Sequence, residues 1–214
     1  MLVGSRMTPN PITISPEISI AEALDWMRQQ KVHRFPVLDK KGKLLGIVTR
    51  EDLLYASPSK ATSLSVWEVS YLLNQIKVKE VMTRNVITVT EDCPIEEAAR
   101  IMRDNDVTGL PVTRDGSLVG IITESDLFDV FLELFMAREK GVRLTVLAPY
   151  FKGSLAQITS AITARGGLIH ALNTFLGSDP SNWGCCLRVA DISKEELLEV
   201  VKPLVVQVLD VREI

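Results

Sequence analysis

Two short segments of this chain repeat one pattern of residues. The first is Gly46-Ile47-Val48-Thr49-Arg50-Glu51-Asp52-Leu53, and the second is Gly120-Ile121-Ile122-Thr123-Glu124-Ser125-Asp126-Leu127. In each segment an apolar run typical of a buried strand ends at a threonine, and the signature of a helix start follows. Each segment therefore predicts a strand that runs into a helix through Thr-x-x-Asp.

The Thr-x-x-Asp pair has two interpretations. Backbone N–H groups at the start of a helix receive an anion well, and the two oxygens of an aspartate could hold the paired hydroxyls of a ribose. With phosphate beside Thr49 or Thr123 and sugar beside Asp52 or Asp126, the pair suits a nucleotide. The alternative is a capping box, in which the two side chains only satisfy the helix's own donors.

Both segments belong to a longer internal repeat. Residues 7–13 (MTPNPIT) align with residues 82–88 (MTRNVIT) at a shift of 75 positions, and the match resumes at a shift of 74 after turns at Gly42 and Gly116. A match in this order over about fifty residues indicates a duplication. One copy of about 55 residues would be marginally stable alone, so we expect the copies to pack on each other.

Each copy predicts the same order of elements. Short β-rich pieces at 11–13 and 86–89 come first, and a helix, a hairpin and a second helix follow. Between the copies, 57–62 predicts a loop and 66–76 a helix whose Trp67, Leu72 and Leu73 need cover. The helical spacing i, i+3, i+4, i+7 is found at Ile20, Ala23, Leu24 and Met27, and again at Ile95, Ala98, Ala99 and Met102.

The last third of the chain predicts the order β-α-β-β-α-β. The strands are 142–147, 168–175, 185–190 and 204–211, and the helices are 154–164 and a segment from Ser193 that ends before Pro203. This order is typical of a ferredoxin-like layer of helices on an antiparallel sheet. The whole chain is therefore predicted to be α+β.

Composition limits the classes of function. The 214 residues are 46% hydrophobic and carry a formal net charge of −3, which gives no general attraction to nucleic acid or to an anionic membrane. The sequence has no 18-residue apolar stretch, and Met1–Arg6 does not resemble a signal sequence. We therefore expect a cytoplasmic protein with no nucleic-acid or membrane partner. Its cysteines, Cys93, Cys185 and Cys186, are predicted to be core or surface residues.

The sequence contains no recognisable catalytic motif. There is no P-loop, no Rossmann glycine pattern and no Ser-His-Asp set in a plausible context. The two histidines, His33 and His170, do not form a conventional zinc site with this cysteine spacing. We expect a protein that is not an enzyme and that has no metal site.

With these motifs in place, the two copies resemble a tandem pair of CBS (cystathionine β-synthase type) domains. The resemblance rests on the Met-Thr-x-Asn opening, the Pro-Val pair, the glycine turn and the repeated Thr-x-x-Asp segment. The tail is similar to an ACT domain in its strand order and its loop at 149–155. The order CBS–CBS–ACT resembles that of the acetoin-utilisation (AcuB-like) regulatory proteins. It implies CBS domains at 1–56 and 77–138 that form a Bateman module, a linker with a helix at 57–76, and an ACT domain at 142–214.

The CBS resemblance implies two clefts that bind adenosine derivatives. Candidate ligands are AMP, ADP, ATP, S-adenosylmethionine and NADH, and no cofactor is required. In this family Asp52 and Asp126 would take the ribose hydroxyls, and Thr49 and Thr123 would face the phosphate. The remaining implied contacts are the main chain near Ile12 and Ile87 at the adenine edge, and walls of the base before Pro36 and Pro111.

Charge is expected to make the two clefts unequal. Arg34 and Arg50 are the cations best placed for phosphate in one cleft. Their counterparts in the other copy are Gly109 and Glu124, so the other cleft would lose two positive charges.

The ACT resemblance leaves two roles open for the tail, amino-acid binding or dimerisation alone. The loop before the first tail helix lacks the acidic residue and the proline before glycine of many amino-acid-binding ACT domains. Gly153 still permits close approach of a ligand, and the helix start at Ser154 and Leu155 could hold a carboxylate. The implied function is a homodimeric, non-catalytic sensor that acts on a protein partner. The alternatives are a scaffold without a nucleotide and an enzyme.

Overall fold

The computed structural model describes residues 1–57 and 65–214 of the chain. These residues form two compact units, 1–127 and 128–214. Apart from Ser57, the loop predicted at 57–62 lies outside the described residues. Within the described ranges, no helix is both long enough and apolar enough to cross a membrane.

The first unit contains the duplicated elements in the predicted order. Its helices are α1 (Ile20–Gln30), α2 (Arg50–Tyr55), α3 (Val66–Gln75), α4 (Val78–Val81) and α5 (Ile95–Asp104), and α6 (Glu124–Leu134) begins in it and ends in the second unit. Its strands are β1 (Thr8–Pro9), β2 (Arg34–Leu38), β3 (Leu44–Thr49), β4 (Gly109–Arg114) and β5 (Ser117–Thr123).

Both copies form the predicted antiparallel hairpin. β2 pairs with β3 from Arg34↔Thr49, and β4 pairs with β5 from Gly109↔Thr123. Each hairpin carries an irregularity at the same place in the repeat, after Val37 in one copy and after Val112 in the other. The two copies therefore match in structure even in the position of this register shift.

The β-rich pieces predicted at 11–13 and 86–89 are not strands. Parallel pairing is limited to one bridge in each copy, Ile14 beside Val37 just after the first predicted piece, and Val89 beside Val112 at the end of the second. The next ladder bond toward the N-terminus would need a backbone N–H from Pro36 in the first copy or Pro111 in the second. Proline has none, so the pairing stops after one bridge.

The beginning of each copy pairs with the other copy. Residues Thr8 and Pro9 of β1 lie opposite Ile121 and Gly120 of β5. In the same way Thr83, at the start of the second copy, exchanges two backbone hydrogen bonds of 2.9 Å with Ile47 of β3. The copies therefore exchange their first segments, and each hairpin is extended by the opposite copy.

The predicted helix faces are buried. Ile20, Ala23 and Met27 of α1 are at most 2% exposed, and they pack around the fully buried Phe35 of β2. In α3, Leu73 packs against this core as predicted. The prediction for Trp67 is wrong, because its side chain is 84% exposed.

The second unit has the predicted ferredoxin-like topology. Its elements after α6 are β6 (Val142–Pro149), α7 (Ser154–Ala164), β7 (Leu168–Leu176), β8 (Asn182–Ala190), α8 (Lys194–Val201) and β9 (Gln207–Glu213). The strands lie in the order β7-β8-β6-β9 and every neighbouring pair is antiparallel. The last strand begins at Gln207 rather than 204 because a 3-10 turn at Lys202–Leu204, which contains Pro203, precedes it.

One face of this sheet and its two helices form the core of the second unit. Val146 of β6, Ile158 of α7 and Leu197 of α8 are fully buried in it. Cys185 belongs to the same core, where burial raises the pKa of its thiol to about 12. The thiol therefore stays protonated and unreactive at neutral pH, as expected for a core cysteine.

Adding a methyl group at the two exchange points should have unequal effects. In Gly46→Ala the new Cβ would lie 2.8 Å from the backbone oxygen of Thr83, which is fixed by the bridge to Ile47. In Gly120→Ala the nearest atoms would all belong to the Met7 side chain, which can move, and none of them to the backbone. We expect Gly46→Ala to lower the free energy of unfolding by about 1–3 kcal/mol and Gly120→Ala by less than about 1 kcal/mol. Urea denaturation followed by circular dichroism measures both, and equal losses would contradict the exchanged pairing.

Candidate functional site

A cleft of about 300 Å³ lies where the two copies meet in the first unit. Its walls are residues 10–12, residues 32–36, and the β5–α6 junction with Ile121, Thr123 and Ser125. The exchanged pairing of β1 with β5 places these segments together. The cleft therefore joins the opening of the first copy to the Thr-x-x-Asp segment of the second copy.

The wall near Ile12 presents backbone polar groups. Ile12 is 42% exposed and lies in the cleft beside Pro36. Because Pro36 has no N–H, it cannot donate to the carbonyl of Ile12 as a continued parallel ladder would require. The end of the ladder thus leaves a main-chain acceptor at the place where an adenine edge was predicted.

Both Thr-x-x-Asp segments make capping contacts. The Asp52 carboxylate accepts hydrogen bonds from the backbone N–H and the hydroxyl of Thr49, each 2.8 Å, and the Thr49 hydroxyl accepts from the Asp52 N–H at 3.2 Å. Asp126 accepts the corresponding two bonds from Thr123 at 2.7 Å. The first segment therefore forms a complete capping box, and in the second the aspartate makes its half of one.

Capping leaves part of each aspartate available. In Asp126 both bonds end on Oδ2, and Oδ1 has no hydrogen-bond partner among residues 1–57 and 65–214. Asp126 is half-buried beside the cleft, and its Oδ1 can still accept a hydrogen bond from a hydroxyl. The hydroxyl of Thr123, in contrast, already donates to Asp126, so toward a phosphate it offers only acceptor capacity.

Arg34 crosses from one copy to the other. Its Nη2 donates to the hydroxyl of Thr108 at 2.8 Å, and its guanidinium lies over Gly109, where any side chain would collide with it. Burial lowers the pKa of Arg34, while the carboxylates of Glu51, Glu124 and Asp126 counteract that shift. Since arginine remains protonated at neutral pH, the cleft contains one fixed positive charge.

Arg34 and Arg50, which were predicted to serve one cleft, line different pockets. Arg50 lines a different pocket, of about 420 Å³, together with Arg28 and Lys31 of the α1 end. The reason is the exchange of segments, which joins Arg34 to the opposite copy's Thr-x-x-Asp segment. Glu124, expected in the charge-poor cleft, lies near Arg34, so this cleft contains charges of both signs.

The residues predicted for a second cleft occupy the symmetric positions. Ile87 is half-buried, and Pro111 lies buried in β4 and accepts a hydrogen bond from Val89. The bridge between Thr83 and Ile47 ties the start of the second copy to the strand that leads to Thr49 and Asp52. In the same way, β1 ties the start of the first copy to the strand that leads to Thr123. Whether these residues bind a ligand stays a prediction.

Several cleft residues were not singled out as ligand contacts in the sequence. Asn10 and Ser125 line the cleft, and His33, which was interpreted as an ordinary residue, lines both this cleft and the pocket beside Arg50. Asn10 follows the repeated Met-Thr opening and recurs as Asn85, which was the available signal. Ser125 lies inside the Thr-x-x-Asp segment, where only the end residues were considered.

In the second unit, the predicted loop site is partly occupied by the protein itself. Gly153 adopts φ +96 before α7, and the hydroxyl of Ser154 accepts a hydrogen bond of 3.3 Å from the indole of Trp183. Leu155 packs against the core. A ligand role for these three residues stays a prediction.

The comparisons with known proteins bear on the first unit. The CBS domain family model matches residues 3–59 and 78–133, which is more than half of the chain. The chain belongs to the CBS domain family. The tandem CBS pair predicted from the duplication is confirmed, whereas the ACT assignment of the tail stays a prediction.

Similar proteins share this CBS pair in different contexts. A CBS domain-containing protein of Dictyostelium discoideum is 34% identical over 135 residues, which are 63% of this chain and 93% of that protein. The L-aspartate semialdehyde sulfurtransferase of Methanocaldococcus jannaschii is 34% identical over 61% of this chain, and the inosine-5′-monophosphate dehydrogenase of Aquifex aeolicus is 34% identical over 58%. The chain spans only 23% of the length of each of these enzymes.

Solved structures of CBS pairs are similar to the first part of the chain. The CBS domain pair of protein MJ0100, in complex with 5′-methylthioadenosine and S-adenosyl-L-methionine, is 33% identical with a TM-score of 0.51. The match covers 61% of this chain and 95% of the MJ0100 chain. The protein CBSX2 in complex with AMP is 30% identical, with a TM-score of 0.54 and coverage of 62% and 97%. A Vibrio cholerae protein assigned to acetoin utilization (AcuB) is 30% identical, with a TM-score of 0.53 and coverage of 64% and 95%.

Removing either capping carboxylate should cost little stability. Asp52→Ala and Asp126→Ala each delete the acceptor at a helix start, so we expect each to lower the free energy of unfolding by about 1 kcal/mol. Asp129→Ala, on the exposed side of α6, is the matched control and should change it by less than about 0.5 kcal/mol. Urea unfolding measures the three values. A loss above about 3 kcal/mol would show that the aspartate supports more of the fold than its cap.

Proposed function

We propose that this CBS pair is a non-catalytic sensor that binds an adenosine-containing nucleotide in the cleft between its two copies. The observation that carries the proposal is the joining of a base wall and Arg34 from the first copy to Thr123 and Asp126 from the second. The similar structures with AMP and with S-adenosylmethionine support an adenosine ligand.

Each part of the ligand has a suited partner in the cleft. The main chain at Ile12 and the flat side of Pro36 suit the edge and face of an adenine. The free Oδ1 of Asp126 suits the ribose hydroxyls, and the guanidinium of Arg34 suits a phosphate or a carboxylate. The phosphate of AMP would add a further negative charge beside Arg34, which already lies near the carboxylates of Glu51, Glu124 and Asp126.

A ligand in this cleft would act on the contact between the copies. It would touch both of them, and it would compete with Thr108 for the N–H groups of Arg34. A ligand shifts the balance between two conformations only if it binds one of them more tightly. A cleft shared by two copies binds its ligand with different affinity when the spacing between the copies changes. A regulated protein partner that contacts both copies would then detect the ligand.

Variants of the two charged cleft residues should separate phosphate binding from ribose binding. We expect Arg34→Met to weaken AMP binding about tenfold or more while adenosine binding changes little, because only AMP carries the phosphate. Asp126→Asn should weaken both ligands, since its charge-assisted bond to the ribose is lost. Calorimetric titration at fixed salt measures the four dissociation constants and extends to ADP, ATP, S-adenosylmethionine and NADH.

The control is Asp129→Asn, which removes the same charge from an exposed position of α6. It should leave both dissociation constants unchanged. If neither AMP nor adenosine bound the unmodified protein, the Thr-x-x-Asp pairs would be helix caps only and the chain a scaffold. If AMP bound equally well to Arg34→Met, the phosphate would lie elsewhere.

We further propose that the second unit is an ACT domain and that the chain forms a homodimer through it. The support is the ferredoxin-like strand order and the apolar residues on the edge strand β7. Phe175 is 47% exposed and Leu176 94% exposed on this strand. An apolar edge strand offers free backbone groups that a second copy can pair with. A cytoplasmic location and a role in acetoin utilisation belong to the same proposal and rest on resemblance.

Charging the edge strand should separate the dimer. We expect Leu176→Lys to shift the mass measured by light scattering from two chains toward one, because a lysine at a paired edge opposes close packing. Leu209→Lys on the opposite edge, β9, is the matched control and should leave the dimer intact. A dimer that persists in Leu176→Lys but dissociates in Leu209→Lys would place the contact on β9 and contradict the proposal.

A further inference from the structure

The sheet of the second unit has a second face, opposite α7 and α8. Cys185, Leu187 and Val189 of β8 point into the helix-covered core, so Cys186 and Arg188, at the alternate positions, point to the other face. The chain after α6 lies over this face, where the carbonyls of Leu134, Phe135 and Glu139 accept hydrogen bonds from sheet side chains. A cavity of about 320 Å³ remains under this segment.

Arg188 is a buried cation without an acidic partner. Its side chain lines the cavity and the residue is only 6% exposed. Its Nε donates to the carbonyl of Phe135 at 3.2 Å and its Nη1 to the carbonyl of Glu139 at 2.6 Å. Within 1–57 and 65–214, no carboxylate forms an ion pair with it. A buried charge normally requires a counter-charge, because carbonyl dipoles alone compensate its lost hydration incompletely.

The guanidinium still has donors to offer. An arginine carries five N–H bonds, and Nη2 of Arg188 has no hydrogen-bond partner among the described residues. Although Nη2 has no partner there, it is not a fully buried atom, so a molecule in the cavity can reach it. The second arginine at the cavity, Arg143, is already paired with Asp210 at 2.8 Å. The unmatched positive charge of the cavity therefore belongs to Arg188.

The other walls define the rest of the ligand. Phe131, Phe135, Ala171 and Ile214 give the cavity an apolar lining beside the polar Asn173, and none of its lining side chains is acidic. An ammonium group in the cavity would therefore lie near two arginines and no acidic side chain of the wall. A volume near 300 Å³ is at the small end of ligand sites.

We propose that this cavity binds a small aliphatic monocarboxylate that has no amino group, with its carboxylate on Arg188 and its hydrocarbon chain against the phenylalanines. The site is separate from the loop at Gly153 and from the nucleotide cleft, and it does not rest on the proposed function. An amino acid is excluded by the same charge argument that selects the carboxylate. The ligand class is a short fatty acid or a 2-oxo or 2-hydroxy acid.

The test compares three compounds of one shape on the full chain. Isocaproate carries the carboxylate, isocaproamide lacks the charge, and leucine adds an ammonium group. Calorimetric titration should give a dissociation constant for isocaproate at least tenfold lower than for either of the other two. Equal affinities for isocaproate and leucine, or no binding of isocaproate, would overturn the proposal.

Two variants locate the binding. Arg188→Met should make isocaproate bind no better than isocaproamide, because only the charge contact is removed. Ala171→Leu fills the cavity from β7, opposite Arg188, and leaves the bonds of Arg188 to the carbonyls in place, so it should weaken isocaproate binding at least tenfold. Ala164→Leu, at the exposed end of α7, is the control and should bind as the unmodified chain does.

Circular dichroism melts show whether each variant is folded. If Arg188→Met fails to fold because the bonds to Phe135 and Glu139 are lost, Ala171→Leu alone decides the question. Isocaproate binding that survives Ala171→Leu would place the ligand outside this cavity and would overturn the proposal.

Discussion

The exchange of first segments between the two copies is the constraint on which the first unit depends. β1 of the first copy pairs with β5 of the second, and Thr83 of the second copy pairs with Ile47 of the first. Each copy alone has only a two-stranded hairpin, which is marginal in water. The exchange extends both hairpins, and it brings the Thr-x-x-Asp segment of one copy beside the base wall of the other. The fold and the cleft therefore have the same origin.

Prolines determine where the parallel pairing inside each copy ends and where the cleft begins. Pro36 lies in β2 and Pro111 in β4, each paired with its hairpin partner on one side. On the other side of each strand, the neighbouring segment pairs through a single bridge residue. Without an N–H, neither can extend the ladder toward Ile12 or Ile87. The chain must leave the sheet at these points, and it leaves with an unpaired carbonyl. A residue that limits a strand in this way also creates a polar edge for a ligand.

Local features of this fold could be predicted from the sequence, and the contacts between copies could not. The helix faces around Ile20 and Ile95, the hairpins and the ferredoxin-like order follow from periodicity and turn residues, which act over a few positions. The separation of Arg34 and Arg50 follows from pairing between segments more than seventy residues apart, about which neither local pattern carries information. Trp67 shows a second limit: an apolar residue at a helical position predicts burial only if some surface covers it.

Arg34 and Arg188, each in the wall of a cavity, show how the surroundings of a charge select its ligand. Arg34 lies near three carboxylates, so its cleft already contains counter-charge, and a ligand there must add contacts to base and sugar to bind specifically. Arg188 has carbonyl partners but no ion-paired carboxylate within the described ranges, and the rest of its cavity wall is mostly apolar without an acidic side chain. Charge compensation is therefore a large part of what a ligand can contribute at Arg188 and a smaller part at Arg34. The first cleft thus favours a ligand with many polar groups, and the second favours an anion with little else that is polar.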